Sequence, residues 1–193
     1  MKKNQTRTLE ASFRTRSENG EKRIEGYFAT FRGAYQICPG CEERVDPHAF
    51  DGALEDDIRC LIDHDTRLVL GRTKAGTLEL RTDEEGLWGS VLINPDDQDA
   101  MNLYARVQRG DVSQCSFGFD ILDEEDEFNN ETGEATFTIK KVKLYEVSCV
   151  TFPAYPDTEI SARRLDVERH RLEAWKKRQL ARLKSPKGGT TPC

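Results

Sequence analysis

The sequence predicts a strand-rich α+β domain, its strands closed or partly closed into a barrel, flanked by a few helices and ending in a charged helix. Three observations predict it. Short apolar runs with strand parity recur from Ile24 to Val150, separated by Gly, Asp and Pro punctuation. Between them lies one stretch of clear helical period, "NPDDQDAMNLYARVQRGD". No apolar run approaches the roughly 20 residues of a membrane span. Many short strands with few helices suit a sheet packed or closed on itself.

The elements follow in order. Residues 1–22 read as a polar, loosely ordered extension. "RIEGYFAT" is a strand, followed by a Gly/Pro/Cys loop to about residue 46 and a short helical turn at "PHAFDGAL". Strands are expected at "IRCLID", "TLELRT" and "LWGSVLI", with Gly76 and Gly86 as breaks. The helix takes Asn94 or an early Asp as its cap, sets Met101, Tyr104 and Val107 on one side, and stops at Gly110. Next comes "CSFGFDI", where Cys115, Phe117, Phe119 and Ile121 share one face and Ser116, Gly118 and Asp120 the other. "DEEDEFNNETGE" is an acidic connection, "ATFTIKK" the returning strand, and "VKLYEVSCVTF" an almost continuous apolar run of the kind covered on both faces. Residues 161–184 form a charged helix with Leu165, Leu172, Trp175 and Leu183 as sparse apolar points, and "SPKGGTTPC" is a disordered end. The organisation expected is an extension over 1–22, a domain over 23–163, and a basic helical extension over 164–193.

Composition narrows the function. The chain has 193 residues, 36% of them hydrophobic and 33% charged. Residues 1–160 carry 19 Lys+Arg against 32 Asp+Glu, whereas 161–193 carry 10 against 3. An acidic body argues against a specific nucleic-acid binder, and the basic tail suits an acidic partner or a solvated helix. The opening "MKKNQTRTLEASFRTRS" lacks the apolar stretch of a secretory signal, so a cytoplasmic protein without membrane association is expected. Six irregularly spaced cysteines (38, 41, 60, 115, 149 and 193) read as reduced thiols, three of them in apolar runs. "CPGC" at 38–41 offers two zinc ligands, but no second pair follows at a usual spacing. A turn on Pro39 and Gly40 is the preferred reading, with no metal and no cofactor.

Three polar residues stand where apolar ones are expected: His64 in "LIDHD", Ser116 in "CSFGF" and Glu146 in "LYEVSCV". A carboxylate inside a covered strand is costly unless it is paired, with a histidine or with Arg59 or Arg72. A serine hydroxyl needs a base to become a nucleophile. One Ser, one His and one Glu are the minimum set for acyl transfer, yet spacing alone does not bring them together.

"LIDHD" with "LGRT" shortly after, a helix followed by "VSQCSFGF", and "LYEVSCVTFPAYPDTEI" resemble the tailed-phage (caudovirus) prohead serine protease family, related to the herpesvirus assemblins. The resemblance runs from about Ile24 to Arg163. It implies a serine endopeptidase with Ser116 as nucleophile, His64 as base and Glu146 as the acid behind it. By position it sets backbone donors for the oxyanion near Ala154 and Tyr155. The implied role is cleavage of the scaffold portion of the major capsid protein, and of the protease itself, inside the procapsid assembling in the host cytoplasm. The implied partners are that capsid protein and further copies of this chain, as a homodimer or oligomer. Ser113, three residues before Ser116, reads as part of the turn leaving the helix. His48 reads as a loop residue and His170 as part of the tail helix. The alternatives are a catalytically inactive barrel that scaffolds or binds capsid protein, and a zinc-stabilised module using Cys38 and Cys41.

Overall fold

Strand parity sets the architecture seen in the computed structural model, which describes residues 2–10, 13–18, 20–129, 131–152 and 157–184. In chain order the elements are β1 (Lys2–Glu10), β2 (Arg14–Glu18), β3 (Glu21–Thr30), β4 (Tyr35–Cys38), β5 (Cys41–Val45), β6 (Arg59–Ile62), β7 (Asp65–Arg72), β8 (Leu78–Thr82), β9 (Gly86–Ile93), α1 (Gln98–Arg109), β10 (Gln114–Phe128), β11 (Ala135–Val150) and α2 (Asp157–Lys184). Seven strands make one sheet, ordered β1-β10-β11-β5-β4, with β6 pairing β11 and β7 joining through β6. Four make another, ordered β2-β3-β9-β8. The strand-rich α+β class is the one expected. The barrel is not seen: pairing among the described residues leaves two separate sheets, with no closed ladder.

The two sheets share one core. Cys115, Phe117, Phe119 and Ile121 all point into it, as their alternation predicts, and the Phe117 and Phe119 rings stack 4.7 Å apart with Phe50 edge-on at 5.7 Å. From the second sheet come Ile24, Phe28, Leu87 and Val91, and α1 covers one side with Ala100, Leu103, Tyr104 and Val107. Asp97 caps α1, its carboxylate accepting from the N–H groups of Asp99 (2.9 Å) and Ala100 (3.2 Å), and Gly110 ends it in the left-handed region at φ 86°.

Several expectations fail for identifiable reasons. Residues 1–22 contain β1 and β2, because pairing to β10 and β3 makes strands of polar sequence that has no apolar face of its own. The loop expected before residue 46 is the β4–β5 hairpin. The turn on Pro39 and Gly40 sets Cys38 opposite Cys41, and the two form a disulfide, so neither is a reduced thiol nor a free zinc ligand. β10 runs on to Phe128 through the acidic stretch read as a connection, its outward carboxylates solvated. "ATFTIKK" and "VKLYEVSCVTF" are one strand, β11. A small second core of Cys41, Ala135, Phe137 and Val167 seats α2. Arg171 reinforces it by donating to the Gly133 carbonyl at 2.8 Å and the Pro39 carbonyl at 3.2 Å. No described helix is long and apolar enough to cross a membrane.

Candidate active site

His64 sits on a two-residue turn. β6 and β7 pair antiparallel up to Ile62 opposite Asp65, leaving Asp63 and His64 to reverse the chain with φ of 48° and 60°. Such turns need positive φ at both central positions and usually carry Asn-Gly, so an Asp-His pair holds strain of about 1–2 kcal/mol per residue. Asp63 offsets it. Its N–H donates to the Cys149 carbonyl (2.9 Å), and its carboxylate accepts from the Thr151 N–H (2.7 Å) and hydroxyl (3.1 Å). The turn is thereby fastened to the end of β11, and the imidazole is held beside the sheet. Strain kept at a fixed side chain is a common mark of function.

β11 supplies the partner. β6 runs parallel to it, Arg59 opposite Glu146 and Leu61 opposite Ser148, and His64 Nδ1 lies 2.7 Å from Glu146 Oε1. The other carboxylate oxygen accepts from the Ser148 hydroxyl at 2.6 Å. A bulge at Tyr145, where pairing steps from Glu146 to Leu144, is what separates the faces. Leu144 joins Val147 and Cys149 in the core, while Glu146 and Ser148 share the opposite side with Ser116 and Gly118. Across the ladder Ser116 stands opposite Ser148 and Gly118 opposite Glu146. Any Cβ at Gly118 would lie 2.3 Å from Glu146 Oε1, so the glycine makes room for the carboxylate. The His64 and Glu146 side chains are 25% and 15% exposed, whereas Ser116 and Ser148 are fully buried. His64 Nε2 is buried and has no hydrogen-bond partner among the described residues, and the Ser116 hydroxyl donates to the Arg7 carbonyl of β1 at 2.9 Å.

The family model described as caudovirus prohead serine protease matches residues 8–173. The chain belongs to the caudovirus prohead serine protease family. Among solved structures, the bacteriophage T4 capsid assembly protease gp21 is similar at 12% identity, over 78% of this chain and all of that one, with a TM-score of 0.46. No curated protein matches the sequence.

Within this prohead protease family member, the other polar candidates are occupied elsewhere. Asp65 binds Arg67 through both carboxylate oxygens, and that guanidinium holds its carboxyl down at about 2. Ser113 is exposed in the connection between α1 and β10. His48 is exposed and bonds Asp51 at 3.2 Å, and His170 stacks on Phe128. Arg72 pairs with Asp57, not with Glu146. Cys60, Cys115 and Cys149 are buried and outside any disulfide; the hydrogen bond with Cys149, then burial, raise the Cys60 thiol well above its ordinary value, so it is no thiolate nucleophile. Ala154 and Tyr155 lie outside the described residues. The sequence reading brings out His64, Glu146 and Ser116 and misses Ser148 and Arg7. Ser148 has a signal, a second polar residue at strand parity with Glu146 in "EVS"; Arg7, inside a polar run, has none.

Proposed function

We propose that this protein is the serine endopeptidase that trims the scaffold portion of the major capsid protein, and its own chain, within the procapsid. The observation that carries the reading is the Ser148–Glu146–His64 chain of hydrogen bonds, which ends on an unpartnered Nε2 at the sheet face that bears Ser116. Glu146 fixes the ring with its proton on Nδ1, so Nε2 has the lone pair a base needs. Ser116 Oγ bonds to the scissile carbon as its proton passes to Nε2, and the carbonyl pair moves onto oxygen. Collapse breaks the C–N bond, and the proton on Nε2 leaves with the amine. Water then repeats the sequence on the acyl-enzyme, releasing the acid and restoring Ser116. The imidazolium formed at each step lies against the Glu146 carboxylate, which stabilises it.

A second reading, a non-cutting module that binds capsid protein, is favoured by the complete burial of Ser116. Reaction with a fluorophosphonate separates the two. The protease reading expects a stoichiometric adduct that peptide mapping places on Ser116 and that His64→Ala removes. No adduct, or one indifferent to His64, supports the binding module instead.

Gly118→Ala makes a narrower case. The methyl group forces Glu146 Oε1 aside, and a displacement of that order costs about 10²-fold in turnover. Overpacking costs about 1–3 kcal/mol of stability. Peptide turnover and thermal unfolding measured together would show a variant that stays folded but is slow; full activity would mean that the carboxylate position does not matter.

A further inference from the structure

The Ser116 hydroxyl is engaged. Oγ donates to the Arg7 carbonyl, and the imidazole nitrogen that should receive its proton has no partner. That carbonyl belongs to β1, the edge strand that runs antiparallel along β10 with Arg7 opposite Phe117 and Thr8 opposite Ser116. An extended peptide therefore already lies along the nucleophile's strand, with one peptide carbonyl at its hydroxyl. The side chain of the same residue enters a prepared place. The Arg7 guanidinium makes a two-pronged contact with the Glu43 carboxylate, Nη2 to Oε2 at 2.8 Å with Nε on Oε1, and lies 5.7 Å from the centre of the Phe119 ring. Glu43 is completely buried beneath it. Strand addition at a sheet edge is a general mode of peptide recognition, in which main-chain bonds give affinity and side-chain pockets give choice.

We propose that β1 is a built-in substrate mimic: it holds the place a substrate strand takes on β10, with Arg7 standing for the residue whose carbonyl is attacked and Glu43 selecting a basic side chain there. The proposal rests on Ser116 being the nucleophile, and it reconciles that role with the serine's burial. The arrangement is a closed one, because a hydroxyl that gives its proton to the carbonyl oxygen is turned away from His64. Opening requires β1 to leave the ladder and Arg7 to leave Glu43. A stranded buried carboxylate is costly, so β1 holds the site closed against casual opening. An incoming peptide with its own Arg or Lys restores both the ladder and the ion pair, so exchange is favourable for such a peptide and unfavourable for one that brings an acidic or apolar residue. The substrate class is thus an extended peptide with a basic residue on the N-terminal side of the cleaved bond.

The test uses the full chain and two ways of loosening β1. Arg7→Asp sets like charges together at Glu43. Gln5→Pro/Thr6→Pro leaves Arg7 in place and removes a ladder bond, since one of two adjacent N–H groups on an edge strand faces its neighbour. Both variants, checked by thermal unfolding, are expected to take up fluorophosphonate at Ser116 about tenfold faster or more, as the open population rises. A synthetic peptide NQTRTLE should slow the Arg7→Asp variant again, while NQTDTLE should not, and peptide substrates with Arg before the cleaved bond should outrun those with Glu. Loosened variants that label at the parent rate, or no preference for Arg, overturn the proposal and leave Ser116 as nucleophile. If neither the parent nor a variant labels and Ser116→Ala still trims capsid precursor, the proposal falls together with the assignment of Ser116.

Discussion

Ser116→Ala is expected to leave capsid precursor uncut when the two are co-expressed, with turnover down about a millionfold, as when a nucleophile that works as a unit with its base is removed. The expectation follows from position. Ser116 is the hydroxyl on β10 that stands diagonal to Glu146 on the His64 side of the sheet, and the thiols nearby face the core. The fold should survive the change. Replacing the hydroxyl gives up one hydrogen bond, to the Arg7 carbonyl, worth about 0.5–1.5 kcal/mol, and introduces no bulk. Loss of trimming with an unchanged unfolding transition is therefore the expected pair of results. Ser113→Ala should trim normally, because that residue is exposed in the connection before the strand. Normal trimming by Ser116→Ala, or loss of trimming by Ser113→Ala, would show the wrong hydroxyl has been named. Mass spectrometry of the precursor reads both outcomes directly.

What the sequence makes legible is what depends on nearest neighbours along the chain. The alternation in "CSFGFDI" fixes which side of β10 is core, and hence which residues its other face presents, because period-2 parity needs no tertiary information. His64 and Glu146 stand out because each interrupts an apolar run, and a polar group there needs a partner. Their meeting is not legible, since it depends on β6 lying parallel to β11, a pairing between stretches more than eighty residues apart. Gly118 reads as a weak point in a strand until Glu146 is seen filling its missing Cβ. The bulge at Tyr145 is hidden in the same way, so simple parity places Leu144 beside Glu146, when in the fold it faces the core. β1 is the extreme case. "KKNQTRTLE" has no apolar face, and it is a strand because β10 offers an edge and Glu43 a counter-charge. Barrel closure, not seen among the described residues, is hidden for a related reason: it is decided by hydrogen bonding between sheets, which local pattern does not encode.

Glu146→Gln is the sharper test of how the imidazole is tuned, because it changes charge and proton inventory while keeping shape. The wild-type carboxylate accepts on both oxygens, from His64 Nδ1 and from the Ser148 hydroxyl. An amide keeps one acceptor and gains an N–H₂ donor. If the amide oxygen stays with Ser148, the N–H₂ meets Nδ1, which must then carry the lone pair, and the ring proton moves to Nε2. That tautomer has no base to offer Ser116. If the amide flips, Nδ1–H regains an acceptor, but the imidazolium formed during attack has lost its counter-charge. Either way the expected loss is about 10⁴-fold in turnover with the Michaelis constant little changed, since both oxygens are taken up by His64 and Ser148. Fluorophosphonate labelling should slow in parallel, because it needs the same proton transfer. Asp65→Asn provides the contrast: its carboxylate serves Arg67, so activity should persist although it adjoins His64 in sequence. Steady-state peptide cleavage across the two variants reads the difference. Equal losses would mean that the acid behind the ring is not Glu146, whatever the 2.7 Å contact suggests.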